Sequence, residues 1–143
     1  MSGQLDQLMR QINALVRELE SPDAFLRPVG ETVKQQTEQR FTSKKNPMGE
    51  TWKPWSTGYK ATRKASDSLL IDMSTHKSGP HLKDSIETIY GSNVVEVGTN
   101  VWYAPPNQST RPFLGIGPDD VSGITAAIEQ EFYAMVERAA ATP

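Results

Sequence analysis

The side chains able to do covalent or metal chemistry are few, and their spacing does not suit either. Only His76 and His81 offer an imidazole, and a serine or threonine nucleophile needs such a base within reach. The two histidines lie five apart, a spacing that does not share a helix face, and the Ser, Thr, Lys, Gly and Pro around them read as loop. A metal centre would need a third ligand; Asp72 and Asp84 are at hand, but the spacing matches no metal-binding pattern. The sequence has no cysteine, which excludes thiolate ligands and a disulfide framework. Asp119-Asp120 reads as the negatively charged start of a helix, and Glu129 and Glu131 fall on different sides of that helix. Gly115-Ile116-Gly117 lacks the rest of a phosphate-cradling fingerprint. No catalytic constellation emerges, no cofactor or metal is implied, and an enzyme is not expected.

Recognition chemistry is better represented. Residues 42–64 hold Lys44, Lys45, Lys53, Lys60, Arg63 and Lys64 against the single acid Glu50, together with Trp52, Trp55 and Tyr59. The stretch has two prolines, two glycines and no sustained apolar period. It is too polar for a core element and too aromatic for a passive linker. Three readings fit: a protein-binding arm, a lid whose tryptophans fold back on the core, or a nucleic-acid contact pairing lysines with stacking rings. The last is weakened by the overall charge of −2. Residues 118–143 are the counterpart, with Asp119, Asp120, Glu129, Glu131 and Glu137 against Arg138. Such segregation suits contacts between copies, basic surface on acidic surface.

The elements that must position this stretch follow from periodicity. Leu5, Leu8, Met9, Ile12, Leu15, Val16 and Leu19 repeat at helical spacing over residues 3–20, which predicts a helix with an apolar face turned to the core. Ser21-Pro22 starts a second helix running to Phe41, which Pro28 is expected to kink or divide; antiparallel contact between the two is the simplest arrangement. Asn46-Pro47-Met48-Gly49 is a turn, and Ser56 or Thr57 can cap a short helix over residues 59–64. The run 69–73 is a strand or buried turn, 74–80 a loop, and 81–85 a helical turn.

Residues 86–90 and 94–99, β-branched and aromatic around Gly91-Ser92-Asn93, predict a β-hairpin. Residues 101–104 extend or follow the second strand. Pro105 to Thr110 reads as a loop unable to join a ladder, and residues 111–116 as an edge strand or extended segment on the core. A final helix begins at Pro118, with Val121, Ile124, Ala127, Ile128, Phe132, Met135 and Val136 on its apolar stripe.

The expected class is α+β: a small antiparallel sheet packed against two N-terminal helices and one C-terminal helix, with a long extended arm at about 42–66. The length of 143 residues suits one domain, 1–143. No apolar run approaches a membrane span and residues 1–20 show no signal-peptide pattern, so a soluble intracellular protein is expected.

Three pieces in order resemble a known family. They are Asn46-Pro47-Met48-Gly49-Glu50-Thr51-Trp52 with Trp55, then Leu70-Ile71-Asp72 leading to Leu82-Lys83-Asp84-Ser85-Ile86, then Val95-Glu96-Val97-Gly98-Thr99-Asn100 with Tyr103-Ala104. Gln108 and Arg111-Pro112-Phe113-Leu114-Gly115-Ile116 follow. This order resembles the phage virion morphogenesis family, the tail-completion proteins of Mu-like and related contractile-tailed phages, over about residues 3–138. It departs from the family at Pro105-Pro106-Asn107-Gln108-Ser109, which keeps only the Gln, and at Met73-Ser74-Thr75-His76-Lys77. The resemblance implies a structural virion protein at the tail or neck, present in the host cytoplasm during assembly. It further implies a homo-oligomeric ring, commonly a hexamer, joining tail tube and sheath to head–tail connector proteins, with genomic DNA passing through the lumen. The alternative is a nucleic-acid-binding module using the Lys/Trp-rich arm.

Overall fold

A computed structural model describes residues 2–62 and 81–143. The order is α1 (Ser2–Leu19), α2 (Asp23–Ser43), α3 (Thr57–Ala61), a short 3-10 turn (Leu82–Asp84), β1 (Glu87–Gly91), β2 (Val94–Gly98), α4 (Ala104–Thr110) and α5 (Pro118–Ala140). The class is α+β, with an antiparallel hairpin and helices at both ends of the chain. The run 69–73, the loop 74–80, His76, Asp72, Arg63 and Lys64 lie outside the described residues.

The hairpin pairs Thr88 with Val97 and Tyr90 with Val95, and these four turn inward while their neighbours face out, the period-2 pattern of a half-buried ribbon. Asn93 closes the turn at φ 59°. The inward face packs on α2, and the approach is close at Gly30. A Cβ there would stand 2.8 Å from Val95 Cγ2 and 3.0 Å from the Tyr90 hydroxyl. The core proper gathers Phe41 from the end of α2 with Trp52, Leu82, Ile86, Ala104 and Phe113.

α2 runs unbroken from Asp23 to Ser43 through Pro28. Pro28 stands in the second turn, where the ring removes a single i→i−4 bond, and the helix is not divided. It ends at Lys44, which takes the left-handed conformation at φ 60° and donates its N–H to the Arg40 carbonyl over 2.8 Å. α5 packs along α2. Arg40, itself buried, bonds the Asp120 carboxylate and the Phe113 carbonyl, the latter at 2.7 Å. Asp120 also accepts from the Gly117 N–H at 2.7 Å, so one carboxylate starts α5 and ties it to α2.

Three expectations change. α1 packs on α5 rather than on α2. Gln11 Nε2 donates to the Ala140 carbonyl at 2.9 Å, and Arg138 Nε to Glu18 at 3.0 Å. Ascending α1 therefore means descending α5, and Gln36 and Arg40 at Asp120 give α2 the same sense. Both helices thus run antiparallel to α5, one after the other, instead of folding into a hairpin. At about 1.5 Å per residue they outrun α5, and Arg10 already reaches the Pro143 carbonyl at 3.0 Å.

Second, the apolar stripe of α1 is not core: Leu5, Leu8, Met9, Ile12, Val16 and Leu19 are 41–59% exposed. The side turned to α5 carries Gln11, Ala14, Leu15 and Glu18. Third, residues expected as loop form α4. Pro105 and Pro106 occupy its first turn, where a missing N–H costs no helical bond. The following segment, 111–116, stays outside the ladder as an extended segment with Phe113 fully buried.

Candidate recognition surface

The basic, aromatic segment leaves α2 at Lys44 and turns back at once. Asn46 donates its N–H to the Glu50 carbonyl at 2.8 Å and Trp52 to Lys44 at 2.7 Å, with Lys45 bridging Thr51. The Asn46 side-chain oxygen accepts from Met48 and Glu50 N–H, both at 2.9 Å, and Gly49 takes φ 85°. This Asx-built turn is what Asn-Pro-Met-Gly dictates locally. It lies on the start of α5. A Cβ on Gly117 would fall 1.5 Å from the Pro47 carbonyl oxygen, so only glycine fits there.

Trp52 belongs to the core and not to the surface. It is 2% exposed, stands edge-on to Phe41 at 5.7 Å and donates its Nε1–H to the Pro112 carbonyl at 2.7 Å. Beyond it, Arg111 donates to the Lys53 and Pro54 carbonyls at 2.7 and 3.2 Å. The first half of the arm expected at 42–66 is therefore bound to the body. Ser56 then caps α3, accepting from the Tyr59 N–H at 3.3 Å, and Trp55 and Tyr59 meet edge-on at 5.7 Å.

Among the expected contact residues, Lys45, Lys53, Tyr59 and Lys60 are exposed, and Trp55 and Lys44 half-buried. Burial lowers the affinity of the Lys44 ammonium for its proton, and Lys83 adds repulsion. Part of the acidic counterpart is already engaged within the chain. Asp120 serves Arg40, and Glu131 accepts from Arg138 at 3.0 Å. Those two glutamate bonds, Glu18 first, hold the Arg138 guanidinium protonated. Asp119, Glu129 and Glu137 stay exposed.

An open groove of about 400 Å³ between α2 and the 45–49 turn is lined by Gln36, Gln39, Lys45, Asn46 and Asp119, with the Arg40–Asp120 pair beneath. Its walls carry no aromatic or branched aliphatic side chain, unlike those of a small-molecule site. Among the described residues no group of His, Cys, Asp or Glu is placed to hold a metal. Nor is any described helix long and apolar enough to cross a membrane.

Two surface features emerge only in the fold. Trp102 is 82% exposed, edge-on to Tyr103 at 5.4 Å. Residues 101–104 read as extending or following the second strand, so only its exposure in the fold marks Trp102 as an anchor of the kind interfaces use. The other is the uncovered stripe of α1.

A pinned basic loop with aromatic rings and uncovered apolar helices are the surfaces of a module built to associate. Comparison with known sequences agrees. The phage virion morphogenesis family matches residues 4–108, and the chain belongs to that family. It is 31% identical over 111 residues to "Mu-like prophage FluMu G protein 1" of Haemophilus influenzae, covering 73% of this chain and 75% of that protein. No solved structure matches. The chain thus has a phage structural and assembly role, and it is associated with the virion.

Proposed function

We propose that this chain is a non-enzymatic structural protein that completes the phage tail and helps join it to the head-side connector. It acts at the tail or neck as a homo-oligomeric ring, six copies being the expected number. Tail tube and sheath proteins and connector proteins are its neighbours, and genomic DNA passes through the lumen without specific binding. The chain is built in the host cytoplasm and ends in the virion. Family membership supports the assembly role. The observation that carries the ring is the separation of exposed charge. Lys53 and Lys60 stand beyond Trp52 on the loop and on α3, and Glu129 and Glu137 stand further along α5 than the groove that Lys45 and Asp119 line together. A basic surface of one copy on the acidic α5 of the next is a head-to-tail contact, which closes into a ring when the rotation allows.

Light scattering on the purified protein tests it. The expected result is a ring at low salt that weakens at high salt and is lost in the Lys45→Ala, Lys53→Ala, Lys60→Ala triple variant. An assembly of the same size in all three conditions sinks the charge-driven ring.

A second reading rests on the Trp55–Tyr59 ring pair beside Lys53 and Lys60, a stacking and phosphate-pairing combination. Salt-sensitive quenching of Trp55 by single-stranded DNA, measured in a Trp102→Phe background, would support that nucleic-acid module. An unchanged spectrum favours the tail protein.

A further inference from the structure

The exposed stripe of α1 is more than an amphipathic face. Leu5, Met9, Ile12, Val16 and Leu19 follow the alternating four- and three-residue spacing of a coiled-coil seam. All five are exposed, with Leu8 beside them. On α5, Val121, Ile128, Phe132 and Val136 are 37–53% exposed. The antiparallel contacts of Gln11 with Ala140 and of Glu18 with Arg138 fix how the two helices face each other. Helical projection about those contacts places both stripes on the same side of the pair. Together the ten side chains leave on the order of 800 Å² uncovered, which is one partner's share of a standard stable interface. The largest patch of a typical monomer is roughly 300–600 Å².

We propose that this face is covered by the same face of a second copy, the two α1 helices pairing antiparallel about a two-fold axis at Ile12. The seam is symmetric about that residue. Leu5 meets Leu19, Ile12 meets itself, and Met9 comes within one residue of facing Val16, so exposed apolar residues face exposed apolar residues along the seam. A contact of this kind is isologous. Depletion of charge at the centre is the compositional mark of an interface, and homodimer contacts are its more apolar kind. The pairing goes beyond the proposed ring and uses none of the charged residues that carry it.

The absence of cysteine makes a sharp test available. Ile12→Cys places a thiol on the axis, within disulfide reach of its own copy. Leu5→Cys places it about 20 Å from its symmetry mate, since fourteen residues at 1.5 Å separate Leu5 from Leu19. Under mild oxidation the first variant is expected to form a covalent dimer and the second to remain uncrosslinked. In parallel pairing both would crosslink, and in any contact away from the seam neither would; either result overturns the proposal. At high salt, where a charge-driven ring loosens, the native chain is expected at twice its 15.8 kDa. Ile12→Lys is expected at 15.8 kDa with unchanged helicity, because this side chain supports nothing inside the subunit. A native chain monomeric at high salt overturns the pairing and leaves the ring standing. A ring that ignores salt does the reverse.

Discussion

Trp52 donates its indole N–H to the carbonyl of Pro112 over 2.7 Å, across 60 residues of chain. The bond fastens the basic loop to the extended segment that carries Phe113, and Arg111 repeats the tie from the other side through Lys53 and Pro54. Trp52→Phe keeps most of the apolar volume and removes the donor. We expect it to cost about 1–3 kcal/mol, because the Pro112 carbonyl loses its partner in a half-buried place. Trp52→Ala adds the cavity and should cost about 3–5 kcal/mol. Urea unfolding midpoints check both; equal losses for the two would mean that packing contributes nothing beyond the bond.

Arg40 and Asp120 join α2 to α5 largely screened from solvent, with side chains 7% and 14% exposed. Breaking such a pair leaves a buried charge, and Arg40→Met or Asp120→Ala should each cost about 3–5 kcal/mol. Asp120 additionally loses its bond from the Gly117 N–H. A double-mutant cycle separates the pair's own coupling from that second role, and additive losses would show that the two residues act independently.

Gly117 cannot be replaced without moving the turn that crosses it, since a Cβ would sit 1.5 Å from the Pro47 oxygen. Gly117→Ala is expected to lower stability by more than about 3 kcal/mol. Gly58→Ala, where nothing lies within 4 Å, should be neutral or slightly stabilising in α3. Thermal unfolding of the two side by side reads the contrast directly.

Lys44 carries two burdens, a left-handed backbone and a depressed pKa from burial and from Lys83. Because the folded value lies below the unfolded one, the folded state releases its proton first. The unfolded state then binds more protons, so stability rises with pH through the window below the ordinary value of 10.5. Lys44→Gly relieves both burdens and should stabilise by about 1 kcal/mol at neutral pH. The difference between native and variant unfolding free energies should shrink as pH rises toward 10. A constant difference would assign the gain to the backbone alone.

Gln108 shows how a retained residue acquires its meaning. Its side-chain oxygen accepts from the Phe113 and Leu114 N–H at 3.0 and 2.9 Å, and its nitrogen donates to the Leu114 carbonyl at 3.1 Å. It therefore supplies the partners that a neighbouring strand would have given. Gln108→Leu should cost about 1–3 kcal/mol per orphaned buried group, and amide exchange at Phe113 and Leu114 should quicken before exchange elsewhere does.

Local rules were legible in the chain itself. The hairpin, the Asn-Pro-Met-Gly turn, the Ser56 cap and the acidic start of α5 each depend on residues within a few positions of one another, and each stands where its residues place it. The family pattern was legible for the same reason, as an ordered series of such turns and strands. Periodicity also marked α1 as a helix with one apolar face, but a period reports that a face exists and not what covers it. Whether Leu5 to Leu19 is core or surface depends on the path of α5. The burial of Trp52 against the exposure of Trp102, two indoles in equally plausible settings, depends on where Phe41, Pro112 and Phe113 come together. The two prolines of α4 read as a loop until Gln108 and the 111–116 segment gave the short helix something to pack on. The place of α1 on α5 and the burial of Trp52 depend on contacts between residues 60 to about 130 positions apart, and the free energy that selects among such arrangements belongs to the assembled core rather than to any stretch of sequence.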